Sequence, residues 1–210
     1  MNGVSMPYES HGRTGQKSRT RTALVTAARE MVANGQTPTV DRAAAAASVS
    51  RATAYRYFPN HGSLLAAAHP ETGTQSLLGD DPPADPAARL DVVIRAFTTL
   101  IVETETQQRT MLRLSLEDHL EHTGDDHAPL PLRQGRAIGW ITEALEPLRG
   151  QLTDEGLRRL VLAIRSATGI EALVWLTDMA GLSRDEAVDL MRESARALLS
   201  AGVAGPKVRV

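Results

Sequence analysis

A chain of 210 residues with 42% hydrophobic residues can bury a sizeable core, while only 3% aromatics and no β-branched runs of period two exclude a β-rich fold and leave an all-α one. The absence of cysteine excludes disulfides, thiol chemistry and thiolate metal sites. The formal net charge of −2 conceals an asymmetry: residues 1–69 carry eight Lys or Arg against three Asp or Glu, and residues 70–210 carry fifteen against twenty-two, which describes a basic head suited to a polyanion on an acidic body.

Residues 1–16 are polar and aperiodic and read as a disordered basic arm, in which Arg13 joins Lys17, Arg19 and Arg21; the arm either touches DNA or is a solvated tail. The N-terminus lacks the apolar core of a signal peptide, and no later stretch reaches about 18 uninterrupted apolar residues, so a cytoplasmic location and no membrane partner are expected. From 17 to 34, Ala23, Leu24, Ala27, Ala28, Met31 and Val32 recur at helical spacing, and Asn34-Gly35 supplies a stop.

Residues 39–58, TVDRAAAAASVSRATAYRYF, read as two short helices and a tight turn. Thr39 caps a first helix over 40–46, with Ala43, Ala44 and Ala47 on one face; Ser48-Val49-Ser50 turns the chain, and Ser50 caps a second helix over 51–58 that Pro59 stops. Helices this short do not hold alone, and so many alanines let their backbones approach closely, as a helix-turn-helix requires. Asn60 caps a further helix to Ala68, and residues 69–83, rich in glycine and proline, form a hinge and domain boundary.

This stretch resembles the DNA-binding domain of the tetracycline-repressor (TetR) family of transcription regulators, in Ala44, Ala47, Val49-Ser50, Thr53, Tyr55 and Tyr57-Phe58 ahead of Asn60 and Leu64-Leu65. The similarity covers residues 21–68. Ser48 stands where the family usually has glycine, Ala43 where it has a larger aliphatic, and His61-Gly62 where a lysine is common. The resemblance implies a helix-turn-helix domain over 17–68, followed by a helical ligand-binding and dimerisation domain over 85–202. It implies a homodimeric repressor, released from double-stranded operator DNA by a small, hydrophobic effector. DNA contacts are expected from Thr39, Ser50, Arg51, Ala52, Thr53, Tyr55, Tyr57 and His61. Arg51, Ala52 and Thr53 face base edges, Arg51 donating to guanine, while Tyr55, Tyr57 and the Ser50 amide hold phosphates.

In the body, Asp85-Pro86 opens a helix to about 106, followed by helices over 107–123, 132–148, 154–180 and, from the capping box Ser183-Arg184-Asp185-Glu186, to about 201. Large side chains alternating with small ones suggest an apolar pocket lined by Phe97, Ile101, Met111, Leu114, Ser115, Trp140 and Trp175. The 154–180 helix carries more apolar residues than one stripe needs, which places a second subunit against Leu173, Trp175, Met191 and Leu198. Glu117 to His122 and Asp125 to His127 hold metal-capable side chains that cannot share one face, so neither metal nor cofactor is expected. With no glycine-rich phosphate loop and no G-x-S-x-G, no enzyme is expected. The alternative is a ligand carrier or interaction domain with a non-binding helix-turn-helix relic.

Overall fold

The computed structural model describes residues 10–69, 75–121 and 136–204, and among these every regular element is helical. Helix α1 spans Ser10–Ala33, beginning seven residues before the expected start, so residues 10–16 of the supposed arm are helical rather than disordered. The side chain of Arg13 lies outside the described residues. The helix ends where Gly35 turns left-handed (φ 69°), its N–H donating to the Val32 carbonyl at 3.0 Å and that of Gln36 to Met31 at 2.9 Å.

Helix α2 (Val40–Ala46) starts at Thr39, whose hydroxyl accepts the Arg42 N–H at 3.2 Å, and it ends by the same device as α1. The Ser48 N–H donates to Ala45 and the Val49 N–H to Ala44, at 3.2 and 2.8 Å, with Ser48 at φ 54°. A serine there pays the left-handed penalty that glycine avoids. Ser48→Gly is therefore expected to raise stability by about 0.5–1 kcal/mol, read as a higher urea midpoint with unchanged slope. Helix α3 (Arg51–Tyr57) is capped by Ser50, and α4 (His61–Ala68) by Asn60, whose side chain accepts the Ser63 N–H at 2.8 Å. Leu24, Ala28, Val32, Ala43, Ala44, Ala54, Phe58, Leu64 and Leu65 form the head core; all are almost fully excluded from solvent.

The body comprises α5 (Pro86–Glu103), α6 (Glu105–Glu121), α7 (Arg136–Ala144), α8 (Asp154–Thr168), α9 (Ile170–Val174) and α10 (Arg184–Ala204). The α5–α6 junction falls at Thr104, whose hydroxyl donates back to the Leu100 carbonyl at 2.6 Å, a little before the expected boundary. Helix α7 stops at Ala144 and passes into a 3-10 turn, Glu146–Leu148, because Pro147 has no N–H to continue the α-helical ladder.

The expected single helix over 154–180 is broken. Gly169 adopts extended backbone (ψ 178°), and a Cβ there would run into the Arg165 guanidinium and the Glu171 carboxylate, which form an ion pair at 3.2 Å across the break. Beyond α9 the chain widens into a π turn, Trp175–Met179. By length and hydropathy, Asp154–Met179 would suffice to cross a membrane. Here, however, Leu157, Leu160, Val161, Ile164, Ile170 and Leu173 are buried in the body core with Trp140, Phe97 and Ile101.

Helix α6 joins the two halves. Its Met111 and Leu114 complete the head core, and the Thr110 hydroxyl lies 3.5 Å from the Val32 carbonyl of α1. Its other side is held to the body by ion pairs: Arg109 binds Glu105 at 2.7 Å and Asp178 at 2.6 Å, and Arg184 reaches Glu105. The Arg109 guanidinium, with help from the Thr177 hydroxyl, holds the Asp178 carboxyl down to about 2, and Arg184 and then Arg109 hold Glu105 below the usual carboxylate range. Depressed carboxylates contribute stability above their unfolded values and lose it as pH falls through the folded ones. The melting temperature is therefore expected to drop between pH 4 and 2, and to drop less steeply in Asp178→Asn.

Candidate nucleic-acid interface

Helix α3 turns its buried Ala54 toward the head core and leaves Arg51, Ala52, Tyr55 and Arg56 exposed, with Thr53 half-buried. Its first turn is fixed by Ser50: the hydroxyl oxygen accepts the Thr53 N–H at 3.3 Å and donates its own proton to the Thr53 oxygen at 2.9 Å. The Thr53 hydroxyl proton thus remains available to an outside acceptor. Ala52 adds only a methyl group, so backbone can approach a partner closely at that point.

Arg51 does not extend freely. Its Nη2 donates to one oxygen of Asp41 at 2.9 Å and its Nε lies 2.7 Å from the other, an ion pair between the first turns of α3 and α2 in which the Nη2 contact is the hydrogen bond. Asp41 went unnoticed in the sequence because ten residues separate it from Arg51, and only the α2–α3 crossing brings them together. Arg42 is also engaged, donating to the Gln36 side chain at 2.6 Å and to the Thr37 carbonyl at 3.1 Å.

Among the flanking expected contacts, Thr39 is exposed at the start of α2, Tyr55 is 40% exposed, and Tyr57 is half-buried with the Arg56 guanidinium 5.9 Å from its ring centre. His61 is half-buried at the first position of α4. On α1, Lys17 and Arg19 are exposed, and Arg21 lies over the Phe58 ring at 5.5 Å, so one residue of the basic stretch is already anchored to the head.

The expected effector pocket is not brought together as one set. Phe97, Ile101 and Trp140 lie in the body core, where Phe97 and Trp140 meet edge to face at 5.9 Å. Met111 and Leu114 instead face the head, because α6 packs its apolar side on α1; Ser115 is half-buried. Trp175 is 60% exposed, carried outward by the π turn. Two features of this core were not anticipated. The Arg165 guanidinium sits 5.5 Å over the Phe97 ring, and Gln108 is buried on α6.

The dimer residues divide similarly. Leu173 and Met191 are buried in their own body core and cannot meet a second subunit, because α8, α9 and α10 direct these positions at one another. Leu198 is half-buried against the same core, and Trp175 alone of the four is well exposed. Among the described residues no group of three metal-capable side chains converges, and the side chains of Asp118, His119, Glu121, His122, Asp125, Asp126 and His127 lie outside them.

This arrangement of helices has a counterpart. The chain is similar to a solved structure titled "SmeT-Triclosan complex", at 20% identity, over 87% of this chain and 91% of that one, with a TM-score of 0.55. The chain has the TetR-type fold. At this identity the likeness speaks for the fold: a helix-turn-helix head carried on a helical body. No protein-family model matches the chain, and no curated protein matches it.

Proposed function

We propose that the protein is a DNA-binding transcriptional regulator of the TetR type, a cytoplasmic, non-enzymatic repressor released from its operator by a small hydrophobic molecule. The observation that carries this reading is the exposed first turn of α3, where Ser50, Arg51, Ala52 and Thr53 stand clear of the head core on a basic domain. That turn is the part of a helix-turn-helix that enters the major groove. Thr39, Tyr55, Tyr57 and His61 flank it and serve the phosphates. The test is binding of the full chain to duplexes containing its own upstream region, across a salt series. A binder loses affinity linearly in log salt, whereas a carrier with a relic head shows no salt-dependent shift.

The effector enters the body near Phe97, Ile101 and Trp140. The similar structure is a complex with triclosan, and the body core here carries the edge-to-face pair of Phe97 and Trp140. The ligand acts by favouring a body conformation in which two recognition helices no longer match successive major grooves, about 34–36 Å apart. Helix α6, fixed to α1 at one side and to the π turn at the other, is the element that carries the displacement.

Two copies pair through the outward apolar residues of the last helices, Leu162, Trp175, Met179 and Leu190, of which Met179 is 76% exposed. Exposed apolar side chains of this size are what a second copy would cover. Trp175→Glu is expected to convert a dimer to a monomer in sedimentation at micromolar concentration without lowering helicity. A wild-type chain that sediments as a monomer under those conditions overturns the pairing.

A further inference from the structure

Arginine at the first position of α3 faces the positive end of that helix, and no acidic residue of α3 stands in its first turn to offset the charge. The offset comes from Asp41, in the first turn of α2. The pair uses one particular edge of the guanidinium. Nη2 donates to one carboxylate oxygen at 2.9 Å and Nε lies 2.7 Å from the other as an ion pair, so the end of the guanidinium, Nη1 with the second hydrogen of Nη2, is left on the outward side. That outward edge is a two-donor fork, and the matching two-acceptor edge in the major groove is N7 and O6 of guanine.

We infer that Asp41 is a positioning residue for sequence readout: it holds Arg51 by its inner edge so that the outer edge meets a guanine in each half-site. The inference rests on the reading of the protein as a DNA binder and adds to it the residue that sets base preference. Two physical effects support it. Arg51 is highly exposed (74% of its side chain), and an arginine so placed, if unpaired, samples many rotamers and reaches phosphates as readily as bases. Fixing the planar group removes that freedom before binding. The carboxylate also carries a negative charge that phosphates repel, so the pair as a unit is disfavoured at the backbone and favoured over the donor-rich and acceptor-rich floor of the groove. Asp41 therefore lowers affinity for DNA in general while raising preference for one base. A pair that merely pinned α2 against α3 would lower general affinity through the same charge but would not raise the preference for one base.

The experiment uses the full chain and a randomised duplex library, from which wild type, Asp41→Asn, Asp41→Glu and Arg51→Ala are each allowed to select sites. Wild type is expected to enrich a two-fold site with a strongly preferred guanine in each half. Asp41→Asn is expected to lose about tenfold in discrimination at that guanine alone, while binding unselected duplex more tightly than wild type. Asp41→Glu, which keeps the charge on a longer arm, is expected to recover part of the discrimination. Arg51→Ala should erase the preference at the same position, and adding Asp41→Asn to it should change discrimination no further. If Asp41→Asn selects the same guanine with the same strength, or weakens all duplexes alike, the positioning role is overturned while the DNA-binding reading stands. If wild type selects nothing and shows no salt-dependent binding, both are overturned.

Discussion

Trp140→Ala is expected to destabilise the protein by about 3–5 kcal/mol, the largest loss available from a single side chain in the body. Trp140 is 2% exposed, meets Phe97 edge to face at 5.9 Å, and donates its indole N–H to the Gln75 carbonyl at 3.1 Å. Truncation removes the aromatic contact, leaves a cavity between α5 and α7, and strips the 75–78 segment of one of its ties to the body. Equilibrium urea unfolding checks this, with Phe97→Leu as a milder companion. Trp175→Ala is a useful contrast: a solvent-facing indole contributes within about 0.5 kcal/mol to the fold of one subunit. The same pair separates core from surface optically. Acrylamide should barely quench Trp140 fluorescence, and should quench Trp175 strongly in a chain made monomeric by Met179→Glu but weakly in the paired wild type.

Arg51→Ala is expected to weaken binding to the selected operator by about 1–3 kcal/mol, a loss confined to one base position in each half-site. On the proposed reading the exposed Tyr55 hydroxyl meets the phosphate backbone, which carries no base information, so Tyr55→Phe should weaken every duplex alike. Titration of each variant against the operator, against a duplex changed at the guanine, and against random duplex distinguishes the two patterns. Equal losses on all three duplexes for Arg51→Ala would remove base readout from that residue. The salt slope is an independent check: Tyr55→Phe removes a neutral contact and leaves the slope unchanged, whereas loss of a cationic phosphate contact lowers it by about one.

Much of the fold was legible in the sequence because its signals are local. Thr39, Ser50, Asn60, Asp85, Thr153 and Ser183 each open a helix where a short polar side chain meets a backbone N–H, and in the Ser183 case Glu186 closes the capping box at 2.8 Å to the serine N–H. Asn34-Gly35 and Ser48-Val49 close helices by hydrogen bonds that span only a few residues, and the strain at Ser48 followed from a missing glycine. Apolar periodicity separates inside from outside on a given helix. It does not say which neighbour the inside face meets. Met111 and Leu114 have the pattern of body-core residues, yet α6 offers them to α1, and Leu173 and Met191 have the surplus hydrophobicity of an interface, yet their own subunit buries them. The break at Gly169 was hidden for a related reason, since a glycine inside an apolar run is tolerated in many helices; here the Arg165–Glu171 pair occupies the space a side chain would need. The sequence by itself determined the helical class, the helix-turn-helix and the residues on the exposed turn of α3. The tertiary structure alone decided that Asp41 holds Arg51, that α6 belongs to both halves, and that Trp175 faces outward, because each depends on the angle at which separately encoded helices cross.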